Sequence, residues 1–281
     1  MPSFLASRAP RRLPALALGA ALLALPAASP RAEGTAEGAA PAPEISGGRF
    51  DFEVWAGGVK VLEVELTLRT GGERYRFDMV ADLVGPPSWV KDYRLTAVAE
   101  GRLDGTRVEP LYYRQDADDD GKDKWLQLAY ADGLPVVDGN PSPADERREQ
   151  VNDAAKQGTQ DPLTAVLSLV LQVAAKGGCD GTAPIFDGRR RFDVTLTDIG
   201  PGELGRSRIN AYEGPVRLCD VQLEPIGGYR FNGVDRVSFP AAVTLQAAQV
   251  LDGLPILPVR LDTTTSYGAI VVHMTGFEAV E

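Results

Sequence analysis

The chain has 281 residues, of which 44% are hydrophobic and 24% are charged, a composition that supports a globular fold with a substantial core. Its formal net charge is −10 at pH 7. Nucleic acid and anionic membrane surfaces are therefore excluded as main partners, because neutralising their phosphates requires clustered Lys and Arg, and the sequence has no basic stripe.

The N-terminal residues have the pattern of a secretory signal peptide. Arg8, Arg11 and Arg12 precede an uncharged run rich in Ala and Leu at residues 13–25, and small residues follow it. This run is too short for a comfortable membrane span. We predict a signal peptide at residues 1–32 and a disordered leader at residues 33–48, with an uncleaved anchor as the alternative. The exported protein is then periplasmic, with no stable membrane insertion after cleavage.

The body of the chain has the pattern of β-hairpins. Apolar and polar residues alternate in several runs, for example at Tyr75, Phe77 and Met79, which is typical of antiparallel strands with one buried face. Asp-Gly or Asn-Gly dipeptides, which favour tight hairpin turns, begin at Asp104, Asp120, Asp132, Asp138, Asp180, Asp187, Asn232 and Asp252. We predict a mostly β fold in which residues 49–281 form a single domain, a strongly curved antiparallel sheet of the open-barrel or β-spiral type.

One segment, at about residues 161–176, has a helical pattern instead. Asp161 and Pro162 provide an N-cap and a first-turn proline, and Gly177 follows the last residue. The segment is apolar on most of its circumference, apart from a narrow stripe at Thr164, Ser168 and Gln172. We expect this helix to be buried inside the curve of the sheet. A short surface helix is expected within residues 143–157.

The two cysteines, Cys179 and Cys219, are predicted to form a disulfide, since an even count in an oxidising compartment favours pairing. A pair of free thiols is the alternative. The bond would connect the end of the buried helix to the strand that contains Cys219.

Catalytic and metal motifs are weak. A lone histidine, His273, gives no basis for a nucleophile–His pair, and we predict neither catalytic residues nor a cofactor. Asp116, Asp118 and Asp120 match the first half of a calcium loop, but Gln127 stands where a bidentate Glu is needed. We therefore interpret these carboxylates as a solvated hairpin turn, with calcium as the weaker alternative.

The candidate ligand-binding residues are the apolar helix positions and a charged group beside them. Strand alternation places Arg190 on the same face as Phe192, so its guanidinium would need a carboxylate, a carbonyl or an anionic ligand. A salt bridge at the barrel rim is the simpler interpretation. If a ligand is bound, the sequence indicates Arg190, Phe192, Leu163, Leu167 and Val170.

Several segments spread over residues 49–275 have a characteristic order and spacing, and they include residues 52–61, 101–105, 161–165, 179–181, 186–193 and 254–260. Through these segments the chain resembles the bacterial domain-of-unknown-function 3108 family. The resemblance implies a periplasmic protein with one disulfide and no established activity. The predicted architecture is also similar, more loosely, to periplasmic half-barrel lipoprotein carriers and β-spiral envelope proteins, which is a fold-level analogy.

Three functions follow from this pattern. The first is a non-catalytic periplasmic protein of the cell envelope that holds a lipid or other hydrophobic small molecule in the concave sheet. The second is a structural protein that interacts with an envelope protein and binds no ligand. A carboxylate-dependent hydrolase is the third and the weakest. The sequence does not give the oligomeric state.

Overall fold

The fold is one antiparallel sheet, which contains thirteen strands among the described residues. We describe it from a computed structural model that covers residues 47–140, 148–230, 242–265 and 268–280. The predicted signal peptide and most of the predicted leader lie outside these residues. The last two residues assigned to the leader, Gly47 and Gly48, begin the first strand instead.

The strands contain between 6 and 14 residues each. In chain order they are β1 Gly47–Ala56, β2 Val59–Gly71, β3 Arg74–Leu83, β4 Tyr93–Asp104, β5 Arg107–Asp119, β6 Asp123–Ala131, β7 Leu134–Gly139, β8 Gly181–Phe186, β9 Arg191–Leu204, β10 Gly214–Gly227, β11 Val243–Ala248, β12 Leu257–Thr265 and β13 Gly268–Ala279. The helices are α1 Asp153–Lys156 and α2 Pro162–Lys176, with a 3₁₀ turn at Pro86–Trp89.

The sheet consists of two meanders joined at its centre. The strand order is β7-β6-β5-β4-β3-β2-β1-β13-β12-β11-β10-β9-β8, so the N-terminal and C-terminal strands pair with each other through β1 and β13. The edges are β7 and β8, and the chain passes from one to the other through α1 and α2. This open, barrel-like antiparallel sheet around a helix confirms the predicted fold class.

Most of the predicted turns join consecutive strands, as those at Asp104, Asp120, Asp132 and Asp187 do. The φ angles of Asp120 and Asp132 are 55° and 52°, in the left-handed region that Asp tolerates better than most residues. Asp252 lies in the longer loop between β11 and β12. The predictions for Asp138 and Asp180 are wrong, because β7 continues through Asp138 and β8 begins directly after Asp180. Asn232 lies outside the described residues.

The long helix α2 matches the predicted helix at about 161–176. It packs against β4, β5 and β8, and nine of its residues are buried, which is why its sequence is apolar on most sides. The expected surface helix within 143–157 is short, since α1 covers only Asp153–Lys156 and residues 141–147 lie outside the description. Neither of the described helices is long and apolar enough to cross a membrane.

Candidate ligand-binding site

An apolar cavity of about 250 Å³ lies between α2 and the inner face of the sheet. The helix contributes Val166, Leu169, Val170 and Val173 to its wall. The rest of the wall comes from β1, from β9–β13 and from the residue before β12: Phe52, Val194, Leu196, Cys219, Val221, Leu245, Ala247, Ile256, Pro258, Arg260, Leu261 and Val272. A wall of this composition favours hydrocarbon over polar ligand groups.

An apolar row crosses five strands of the sheet, and its four members on β10–β13 line the cavity. Cys219 on β10 lies opposite Leu245 on β11, and Leu245 lies opposite Leu261 on β12. Leu261 then faces Val272 on β13, and Val272 faces Val54 on β1. Because side chains alternate between the two faces of a strand, this register places all five on the inner face.

The helix covers only one side of the sheet. We call the inner faces of β4, β5 and β8, on which α2 packs, the covered wall, and the inner faces of β10–β13 and β1 the open wall. Val166 faces the cavity from the middle of α2 and is 39% exposed. The cavity is therefore open to solvent alongside the helix.

Buried polar contacts fix the N-terminal end of α2 to β3, the strand that pairs with β4 of the covered wall. The Asp161 carboxylate accepts the backbone N–H groups of Leu163 and Thr164 at 3.1 and 3.0 Å and the Thr164 hydroxyl at 2.6 Å. Thr164 Oγ1 also lies 2.7 Å from the Tyr75 hydroxyl on β3. We call Asp161, Thr164 and Tyr75 the Asp161 network. Side-chain capping of this kind satisfies N–H groups that a helix end leaves unpaired.

Burial sets the ionisation of this network. It raises the pKa of Asp161 to about 6, although the hydrogen bonds from Thr164 and the backbone act in the opposite direction. It also raises the pKa of the Tyr75 and Tyr113 hydroxyls, with the Asp161 charge adding to the effect. Asp161 is completely buried and occupied by its N-cap contacts, so we assign it a structural role.

The C-terminal part of the polar stripe of α2 contacts the edge strand β8 through Gln172. The Gln172 side chain donates to the carbonyl of Thr182 and accepts its N–H, both at 3.1 Å, which extends the hydrogen bonding of the sheet edge onto the helix. Ser168 accepts a hydrogen bond from Gln172 at 3.2 Å. The stripe at Thr164, Ser168 and Gln172 therefore orients the helix. The opposite, apolar side of the helix lines the cavity.

The disulfide fixes the other end of α2. Cys179 and Cys219 are bonded, with their Cα atoms 5.5 Å apart, which confirms the predicted pairing. Both are fully buried, and Cys219 lines the cavity. The bond therefore ties the helix C-terminus directly to the open wall.

Arg190 does not line the cavity, contrary to the strand pattern that placed it on the inner face. Strand β9 begins at Arg191, so Arg190 belongs to the β8–β9 turn, where alternation does not apply. Its guanidinium pairs with Asp187 at 2.8 Å, and the second Asp187 oxygen accepts the N–H groups of Arg189 and Arg190. The simpler interpretation, a salt bridge at the rim, describes this arrangement.

The other four candidate residues divide between the cavity and the core. Val170 lines the main cavity, and together with Leu167 it also lines a smaller apolar cavity of about 60 Å³ next to it. Leu163 is buried in the main core. Phe192 packs beside Leu196 in a second cluster under the helix.

Sequence reasoning missed most of the open wall. Cys219 and Val221 share an inward parity that the alternation does indicate, but Leu245, Leu261 and Val272 come from strands that are distant in the sequence. Their alternating runs could have marked each as an inward residue. Only strand pairing, which depends on the register of the whole sheet, shows that they form one surface.

The three aspartates of the half calcium loop lie on the β5–β6 hairpin and are engaged by protein donors. Asp116 pairs with Arg114 at 2.6 Å. Asp118 accepts the N–H of Gly121 at 2.7 Å, and Asp120 accepts the N–H of Asp92 at 2.9 Å. Within the described part of the chain, no three His, Cys, Asp or Glu side chains are grouped so that they could hold a metal ion.

His273 is buried on the face of β13 that points away from the cavity. Its Nδ1 lies 2.6 Å from the Asn210 side-chain oxygen. Burial lowers the pKa of the imidazole, and the nearby Arg260 charge adds to the shift. The side chain connects β13 to the loop between β9 and β10.

Comparisons with known proteins identify a family and a fold. The sequence model of the family described as "Protein of unknown function (DUF3108)" matches residues 49–275. No curated protein matches the chain. Among solved structures, a beta-barrel-like protein of domain of unknown function DUF1849 from Brucella abortus is similar, with a TM-score of 0.50 and 11% identity over 84% of this chain and 98% of that chain. An identity this low shows similarity of fold alone.

Proposed function

The chain belongs to the DUF3108 family of proteins of unknown function, and we propose that it acts as a non-catalytic periplasmic protein of the cell envelope that holds a lipid-like ligand in the cavity between α2 and the open wall. The observation that carries this proposal is the apolar row formed by Cys219, Leu245, Leu261, Val272 and Val54. Its members other than the buried Cys219 are only partly covered by the rest of the fold.

The cavity favours an acyl chain by its chemistry. Burying a methylene group contributes about 0.8 kcal/mol, so roughly eight methylenes would contribute about 6 kcal/mol before the entropy cost of binding is subtracted. Pockets for small molecules are usually apolar with a few polar groups that fix orientation. This wall has few such groups, which favours a ligand held by its hydrocarbon part.

The ligand head group is expected to remain in solvent. Arg260 is the charged residue in the cavity wall, and its guanidinium pairs with Asp262 at 2.6 Å. A guanidinium that is already paired with a carboxylate has little remaining attraction for an anionic head group. We therefore favour a ligand recognised by its acyl chain.

The periplasmic location rests on two features. The signal pattern at residues 1–32 would export the chain, and a buried disulfide is typical of proteins that fold in oxidising compartments.

The proposal is tested by filling the cavity without disturbing the core. Val166 is part of the cavity wall and already 39% exposed, so Val166→Trp places an indole in the open space with little overpacking. We expect this variant to bind the fluorescent fatty acid cis-parinaric acid at least roughly tenfold more weakly than the wild type, because several methylene contacts are lost.

The matched control is Val136→Trp, which adds the same side chain at a 57% exposed position on β7, outside the cavity. This variant is expected to bind the probe as the wild type does. Equal binding by both variants would contradict the assignment of the cavity. An absence of binding in the wild type would favour the structural role in envelope assembly.

A further inference from the structure

The three tryptophans of the chain lie at one end of the sheet. Trp55 is two residues before the β1–β2 turn, Trp89 ends the 3₁₀ turn between β3 and β4, and Trp125 is the third residue of β6. Antiparallel pairing brings these three connections together, because Leu62 on β2 pairs with Leu83 on β3 and Tyr93 on β4 pairs with Asp119 on β5. We call this end the tryptophan end.

Two residues at the tip of this end are unusually exposed for their type. Trp89 is 81% exposed and Val90 is 87% exposed. A large aromatic side chain normally buries most of its surface, and adjacent exposed apolar residues commonly mark an interaction site.

The turn that presents this pair is ordered by its own hydrogen bonds. The carbonyl of Gly85 accepts the Ser88 N–H at 3.0 Å and its hydroxyl at 2.8 Å, while the carbonyl of Pro87 accepts the N–H groups of Val90 and Lys91, both at 3.2 Å. Gly85 has a φ of 67°, and a Cβ there would collide with the Lys60 carbonyl. The hydrogen-bonded turn therefore holds Trp89 and Val90 in an exposed position.

The charges at the base of this turn balance one another. Lys91 pairs with Asp119 at 2.6 Å, and Lys124 pairs with the other oxygen of the same carboxylate. Cations already neutralised by carboxylates give no attraction to an anionic surface. With a net charge of −10, the chain as a whole would be repelled by one.

The inner faces of β1 and β2 are less buried at the same end of the sheet. On the inner faces of β1 and β2, Phe50 and Leu68 at the far end are each 4% exposed, whereas Val54 and Leu62 near the tryptophan end are only partly buried. The exposed pair and the less buried part of these inner faces therefore lie at the same end of the sheet.

We propose that the tryptophan end docks on the surface of a zwitterionic lipid bilayer, with Trp89 and Val90 as the side chains that enter it. Trp is favoured at membrane–water interfaces, where its ring meets the acyl boundary and its N–H meets the head groups. The proposal goes beyond the proposed function and stands without it, since bilayer contact does not require a ligand in the cavity.

The test uses the full chain with Trp55→Phe and Trp125→Phe, so that Trp89 is the one tryptophan that remains. On phosphatidylcholine vesicles we expect its emission to move to shorter wavelength and to be quenched by lipids brominated along the acyl chain. Adding Val90→Ser should weaken vesicle binding roughly fivefold, because one of the two inserting side chains becomes polar. The apolar residues 13–25 are common to all variants and cannot cause this difference.

The control moves the fluorescent reporter to β7. It replaces all three tryptophans with Phe and introduces Val136→Trp, at a position that is also exposed. Its emission should not respond to the vesicles. Unchanged Trp89 emission, an equal response of the β7 reporter, or a response confined to phosphatidylglycerol vesicles would each overturn the proposal. Because these readouts are independent of cis-parinaric acid binding, failure here and failure of the cavity assignment are distinguishable.

Discussion

The covered wall and the open wall have the same sequence pattern but different surroundings. Ala99, Tyr113 and Ala183 on the covered wall are almost completely buried under α2, while Leu245 and Leu261 on the open wall are only partly buried. Both walls alternate apolar and polar residues, as one buried face requires. The difference arises because a single helix of fifteen residues packs along one side of a thirteen-stranded sheet. Alternation thus predicts an apolar inner face and does not predict what covers it.

The two walls also differ in how they hold the helix. The Asp161 network fixes the helix N-terminus by hydrogen bonds to β3, beside the covered wall, and the disulfide fixes its C-terminus to the open wall. This arrangement lets one side of α2 pack tightly while the other remains beside a cavity. Changes to the Asp161 network and changes to the disulfide should therefore have different consequences for stability and for binding.

The largest expected effect comes from removing the disulfide. The bond closes a loop with a sequence separation of 40, so Cys179→Ser with Cys219→Ser should lower the free energy of unfolding by about 4 kcal/mol on chain-entropy grounds. Urea unfolding of the oxidised wild type and the double variant measures this. A loss below about 1 kcal/mol would mean that the covered wall alone holds the helix in place.

A matched pair of leucines compares the buried side of α2 with the open wall. Leu167 is 1% exposed on α2 and Leu245 is partly buried on the open wall. Leu167→Ala should cost about 3 kcal/mol, within the range for buried leucines, and Leu245→Ala about 1 kcal/mol, because little cavity is added to a site that is already open. Equal losses in urea unfolding would show that Leu245 on the open wall is packed as tightly as Leu167 on the helix.

The smallest effect concerns the ionisation of Asp161. Its pKa is raised to about 6 from an ordinary value of 3.8, so between these pH values the native state binds more protons than the unfolded state. Stability contributed by this group is therefore lost as pH rises from about 4 to 7.

Comparison with Asp161→Asn isolates this contribution, because the amide keeps an acceptor oxygen and does not titrate. The wild type should lose about 1–2 kcal/mol relative to the variant between pH 4.5 and pH 7. Parallel pH profiles for the two proteins would mean that Asp161 titrates as an ordinary carboxyl.

Local patterns predicted the elements of this fold well. The cap pair Asp161–Pro162 and the C-terminal Gly177 located α2, and most Asp-Gly dipeptides located hairpins, because these signals depend on neighbouring residues. Arg190 failed because strand alternation was extended one residue into a turn. The cavity itself depended on which distant strands pair, and no local signal carries that information.

The exposed turn at Trp89 illustrates another limit. The sequence Gly85–Pro86–Pro87 indicates a turn, but it does not show that the following Trp89 and Val90 remain uncovered. Exposure of an apolar residue is a property of the whole packed structure.

The most direct test of the cavity assignment is native mass spectrometry, with lipid extraction, on protein recovered after export from its own host. We predict a stoichiometric lipid on the wild type and its loss in Val166→Trp, with Val136→Trp retaining it. A wild type that carries no lipid as purified, and gains none on incubation with a fatty acid, would contradict the account.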